Sequence, residues 1–109
     1  MKRLCAEGDI SEGEGRGFVF GSGIECDAVF VIHWRGQFLG YRNSCPHAGS
    51  PLDWPENRFF DASGRYFMCG THGAVFRPED GVCIEGPCEG RALEPVAIEM
   101  KDGEIYWMD

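Results

Sequence analysis

The sequence predicts an almost all-β protein, and three observations carry that reading. Short runs rich in β-branched and aromatic residues recur along the chain, sixteen glycines and six prolines punctuate them, and no long window keeps a helical apolar period. Many turns between short apolar runs favour strands over helices.

The elements follow in chain order. "GFVF" (17–20) and "DAVFVIHW" (27–34) have strand composition, and Arg35-Gly36 offers a turn into "QFLGYR" (37–42), so a hairpin is expected there. "RFFD" and "RYFM" flank Ala62-Ser63-Gly64 as a second hairpin. "AVF" and "VCIE" flank "RPEDG" as a third, with Asp80-Gly81 in the turn. The end reads as strand "PVAIEM", turn "KDG" and strand "EIYWM".

At 109 residues the chain is read as one domain, 1–109, large enough for one modest core and small enough that a bound cofactor would also be structural. The composition, 43% hydrophobic, lies outside the disordered regime. A net charge of −8 argues against a nucleic-acid backbone or an anionic membrane surface as partner. The same charge suits docking on basic partners, and equally a small domain kept soluble by its acidity. "MKRLCAEGDISEGEG" lacks the apolar core of a signal peptide and no run approaches a membrane span, so a cytoplasmic location is expected.

Six cysteines in a short chain imply disulfides only in a secreted setting; otherwise cysteines near histidines point to metal. Their spacing is informative. Cys45-Pro46-His47 reads C-x-H, and Cys69 with His72 reads C-x-x-H after 21 intervening residues. Gly49 and Gly73 follow the two pairs and would let backbone curl round a bound object. Two thiolates and two imidazoles could form a tetrahedral zinc site, yet zinc fingers put two cysteines on one element and two histidines on another. One of each per loop suits a two-iron centre in which one iron takes both sulfurs and the other both nitrogens.

These residues resemble the Rieske [2Fe-2S] family, whose signature is C-x-H followed by C-x-x-H. The Gly86-Pro87 turn is similar to that family's cluster-covering proline loop, and the resemblance extends over roughly 16–108. It implies stacked antiparallel β-sheets with a cluster-binding subdomain, about 43–90, inserted in a base subdomain. It implies one [2Fe-2S] cluster per chain, with Cys45 and Cys69 on the inner iron and His47 and His72 on the outer one. With two thiolates in place of four, the oxidised centre is neutral, and neutral centres accept an electron more readily, at about −150 to +300 mV against about −400 mV for four-cysteine plant-type ferredoxins.

Departures from the high-potential members place this chain within that range. Those members carry a serine two residues after the second histidine and a tyrosine two beyond it; here these are Ala74 and Phe76, which donate no hydrogen bond to sulfur. They also bridge their two loops with a disulfide, at positions that here hold Ser50 and Thr71. The resemblance therefore implies a low-potential ferredoxin type near −150 mV, on the order set by the range above. Only His33 is left over, so the further iron site of an oxygenase cannot be built, and the expectation is an electron carrier rather than an enzyme. The partners implied are a flavin-dependent reductase and a terminal oxygenase. A nitrite reductase small subunit, an iron-sulfur sensor and a zinc domain are the alternatives.

The remaining candidates have structural readings. Cys83 and Cys88 are expected as free thiols, Cys5 and Cys26 as small core residues, and His33 as a strand-face histidine. Trp54 is expected to pack. Glu79, Asp80, Glu85 and Glu89 form either a docking face or an ordinary solvated turn.

Overall fold

The computed structural model describes residues 2–20, 27–44, 59–61, 63–69, 73–86 and 89–108. Ten strands run through them: β1 (Lys2–Ala6), β2 (Gly15–Phe20), β3 (Asp27–Trp34), β4 (Gln37–Arg42), β5 (Phe67–Met68), β6 (Val75–Phe76), β7 (Cys83–Glu85), β8 (Pro95–Val96), β9 (Ile98–Lys101) and β10 (Glu104–Trp107). The one helical element among the described residues is a 3-10 turn, Glu7–Asp9. The strands form three antiparallel sheets in the orders β1-β10-β9, β2-β3-β4-β8 and β5-β6-β7. The expected all-β class therefore holds.

The hydrophobic run in β3 explains the layering. Val29, Phe30, Val31 and Ile32 are all fully buried, so this strand has no solvent face. Strand alternation sends Phe30, Ile32 and Trp34 into a core shared with Phe67, Cys69, Ala74, Phe76 and Cys83 of the third-sheet hairpins. It sends Val29 and Val31 into a second core with Leu4, Cys5, Ile105 and Trp107 of the first sheet. The four-stranded sheet is thus a middle layer covered on both faces, which is why its central strand reads as a continuous apolar run. Each fully buried Phe contributes roughly 2 to 3 kcal/mol of transfer free energy to these cores.

The Arg35-Gly36 hairpin is a two-residue turn with both residues at positive φ, 51° and 78°, the geometry that matches strand twist. Arg35 is strained there for a non-glycine residue. Glu12 offsets the strain by accepting both turn amides, Arg35 N–H at 2.9 Å and Gly36 N–H at 2.6 Å. Asp102-Gly103 repeats the geometry between β9 and β10, as the "KDG" turn predicts.

Three expectations need correction. "PVAIEM" is not one strand: Val96 pairs with Gly40 in the middle sheet, whereas Ile98 pairs with Trp107 in the first, and the chain changes sheet at Ala97. Pro95 has no N–H to donate, which suits the edge position of β8. β1 was not expected, because two of its five residues are Lys2 and Arg3; its pairing with β10 from Lys2↔Trp107 to Ala6↔Glu104 supplies the stabilisation that composition lacks. "RFFD", within the described residues, makes only the bridge Phe60↔Phe67.

β4 and β8 are neighbours in the middle sheet, and the chain between them forms the third sheet. That arrangement places the Cys69 hairpin on the middle layer. Among the described residues no helix is long and apolar enough to cross a membrane.

Candidate metal centre

Cys69 directly follows β5, where strand alternation from Phe67 turns its side chain inward. It is a free thiol with no exposed surface. Its N–H donates to the Ala74 carbonyl at 2.8 Å, and its carbonyl accepts from Gly73 N–H at 2.8 Å. Those two bonds clamp both ends of the loop that contains His72. Gly73 has φ +71°, the left-handed geometry expected of a glycine that lets backbone curl.

The next strand brings a small residue beside the thiol. Ala74 is fully buried opposite Cys69, and Gly86, at the end of β7, lies against it. A Cβ on Gly86 would stand 2.8 Å from the Ala74 Cα, and φ there is +105°, so this position excludes every side chain. Cys69, Ala74 and Gly86 form a row of small residues across the third sheet. The next row, Phe67, Phe76 and Cys83, is bulky in its first two members and buried throughout.

A sulfur ligand in an apolar wall beside a row without bulky side chains is what an inorganic cluster needs: water is excluded and space is left next to the thiolate. The donor set predicted from sequence, two cysteines and two histidines, has the chemistry for a two-iron centre. Cys45, His47 and His72 lie outside the described residues, as do Trp54, Cys26 and Cys88. Among the described residues no three or more metal-binding side chains converge.

A family model of the Rieske [2Fe-2S] domain matches residues 1–101. The chain belongs to the Rieske [2Fe-2S] domain family. It is therefore a cluster-binding domain, and the three-sheet architecture is that of a Rieske-type stacked β fold. No curated protein sequence matches this Rieske domain. It is similar to a chain of the complex of reduced oxygenase and oxidized ferredoxin in carbazole 1,9a-dioxygenase, with 25% identity and a TM-score of 0.76 over 96% of this chain and 89% of that one. The Sphingomonas yanoikuyae B1 ferredoxin shares the fold, with 22% identity and a TM-score of 0.73 over 96% and 94% of the two chains. So does the ferredoxin of carbazole 1,9a-dioxygenase from Nocardioides aromaticivorans IC177, with 21% identity and a TM-score of 0.74 over 96% and 93%.

The other candidates in this Rieske domain resolve as follows. Cys83 is buried and free, and its Sγ donates to the Glu85 carbonyl at 3.2 Å. Cys5 is a free thiol in the second core, and burial pushes it up from the ordinary thiol range, as fits an inert core residue. His33 Nδ1 is 3.0 Å from the Ile10 carbonyl and its ring stacks on Phe38 at 4.4 Å, the structural role expected. Within the acidic group, Asp80 accepts Val82 N–H at 3.0 Å and pairs with Arg77, which also lies 3.7 Å from Glu79. The Val82 amide first and the Arg77 guanidinium second hold the Asp80 carboxyl below its ordinary value. Asp80 thus closes a turn, while Glu85 and Glu89 stay exposed.

Sequence reading missed Tyr41. Its ring is buried edge-on to Phe67 at 5.9 Å, and its hydroxyl donates to the Pro78 carbonyl at 2.7 Å. Burial first, and the nearby Asp80 and Glu79 charges second, push its pKa up to about 12. Pro78 belongs to the turn that joins β6 to β7, so this bond fixes the third sheet on the middle one. Alternation in "QFLGYR" marks Tyr41 as inward-facing, but only the fold reveals its acceptor.

Proposed function

We propose that the protein is a one-electron carrier whose [2Fe-2S] cluster is held by Cys45, His47, Cys69 and His72, within a cluster-binding subdomain of about 43–90 in the single domain 1–109. The group supplies one reversible redox equivalent when bound. Cys45 and Cys69 hold the sulfur-ligated iron, and His47 and His72 hold the other near solvent. Cys69, sealed in the core, keeps water from its iron; the histidines present the edge through which an electron leaves.

The observation that carries this reading is the near end-to-end match, 96% of this chain over 89% of its counterpart, to a chain from a complex of an oxygenase with a ferredoxin. Larger chains from related carbazole 1,9a-dioxygenase complexes are matched over only 27% of their length. The size therefore favours the carrier over the oxygenase. The proposed donor is a flavin-dependent reductase, the acceptor a terminal oxygenase, and the location cytoplasmic.

The potential lies at the low end of the family range, about −150 mV. Ala74 and Phe76 are both fully buried, so no side-chain hydroxyl, and no bulk water in its place, donates to sulfur from those positions.

Reconstitution tests the role. The holoprotein, a flavin-dependent reductase with NADH, and the oxygenase of carbazole 1,9a-dioxygenase are combined, and substrate oxidation is followed. Turnover that depends on the holoprotein is expected. Electron uptake from the reductase without onward transfer to this or any other oxygenase would contradict the assignment.

A further inference from the structure

The third sheet buries one face and leaves the other bare. Tyr66, Met68 and Ile84 are 36%, 41% and 39% exposed, and they are three of the six exposed large hydrophobic residues among the described residues. They stand on the smallest of the structure's strands. Alternation puts Tyr66 and Met68 on the side of β5 opposite the buried Phe67, and Met68 lies across from Val75 in the next strand. An irregularity between Val75 and Phe76 places Cys83 and Glu85 opposite consecutive β6 residues, leaving Ile84 as the extra residue, and both Ile84 and Glu85 are exposed.

Met68 is bonded directly to Cys69. The bare face thus begins one residue from a cluster ligand and continues away from the histidine edge. A soluble domain gains nothing by holding three large apolar side chains in water on one small sheet, unless a partner covers them. Charge indicates which kind. Glu85 and Glu89 are exposed at its border, Arg77 is engaged by Asp80 and Glu79, and the whole chain carries −8. Arg65, beside Tyr66, is the countervailing cation.

We propose that the outer face of the third sheet, Tyr66, Met68, Val75 and Ile84, is a docking surface for a redox protein whose own electron-exchange patch is apolar and ringed by lysine and arginine. Apolar contact at the centre favours close approach, and the acidic border steers the encounter. The inference rests on the carrier reading. In the transfer, one electron moves from the reduced protein to a one-electron acceptor, with no bond or proton exchanged.

Cytochrome c is the probe, being basic with an apolar haem edge. Isotope-labelled ferricytochrome c is titrated with the oxidised holoprotein to read binding, and its reduction by reduced holoprotein is followed by stopped flow. Met68→Lys and Ile84→Lys are compared with Met100→Lys, which adds the same charge at an equally exposed site on the first sheet, two layers away. Met68→Gln removes apolar surface without charge. We expect about tenfold weaker binding and slower reduction for Met68→Lys and Ile84→Lys, about threefold for Met68→Gln and less than about twofold for Met100→Lys. The visible spectrum of each variant reports that the cluster is in place. Equal losses for all three lysine variants would overturn the surface, since the effect would then be bulk charge. No reduction by the unsubstituted protein would overturn the carrier reading, and the surface with it.

Discussion

The Tyr41 hydroxyl donates a 2.7 Å hydrogen bond to the carbonyl of Pro78, joining β4 of the middle sheet to the turn between β6 and β7. Both partners are buried. A buried acceptor left without its donor costs about 1 to 3 kcal/mol. Tyr41→Phe is therefore expected to lower unfolding stability by that order, measured by denaturant titration, while the cluster spectrum persists because no ligand is touched.

The same residue gives a pH dependence with a definite sign. Its folded pKa, about 12, is above the ordinary tyrosine value of 10, so the folded state keeps a proton that the unfolded chain releases. The contribution is fully present below pH about 10 and is lost as pH rises toward about 12. Up to roughly 3 kcal/mol is at stake, from two pKa units at 1.36 kcal/mol each. Ultraviolet titration of the phenolate band should show a late-titrating tyrosine that is missing in Tyr41→Phe. A wild-type curve that matches the mutant's would remove this account.

Gly86 offers a test of the site's geometry. Gly86→Ala puts a methyl group 2.8 Å from the Ala74 Cα at a φ of +105°. The strain and the clash together should cost a few kcal/mol, and cluster occupancy should fall because the row beside Cys69 is pushed open. Iron content per chain and thermal unfolding measure the two effects.

How much of this was legible from sequence depends on range. The β3–β4 hairpin was readable because its signals are local: β-branched and aromatic runs flanking Arg35-Gly36. The C-x-H and C-x-x-H pairs were readable because ligand spacing is written along the chain. β1 was not, since its pairing with β10 joins the two ends of the chain and leaves little trace in Lys2 and Arg3. The division of "PVAIEM" depends on two strands from different sheets, β4 and β10, competing for one segment. Tyr41 to Pro78 and Ala74 to Gly86 likewise depend on contacts that exist only once the third sheet lies on the second. Of the predicted ligands, Cys69 stands where a cluster wall requires it, buried and free.

Ala74 is the position at which one hydroxyl should change the redox properties. A serine there would stand opposite Cys69 in the ladder, within reach of sulfur. A donor to sulfur stabilises the reduced state, so Ala74→Ser should raise the midpoint by on the order of 50 mV, the equivalent of about 1 kcal/mol for one electron. Protein-film voltammetry reads the shift, and an unchanged or lower midpoint would contradict it.

The central claim is that Cys45, His47, Cys69 and His72 hold a low-potential two-iron cluster. A redox titration of the anaerobically purified protein, followed by EPR with nitrogen hyperfine detection, tests it most directly. The account predicts one [2Fe-2S] cluster per chain, coupling to two histidine nitrogens, and a midpoint near −150 mV on the order set by the family range. A colourless protein holding zinc, a cluster without nitrogen coupling, or a midpoint above roughly +100 mV would contradict it.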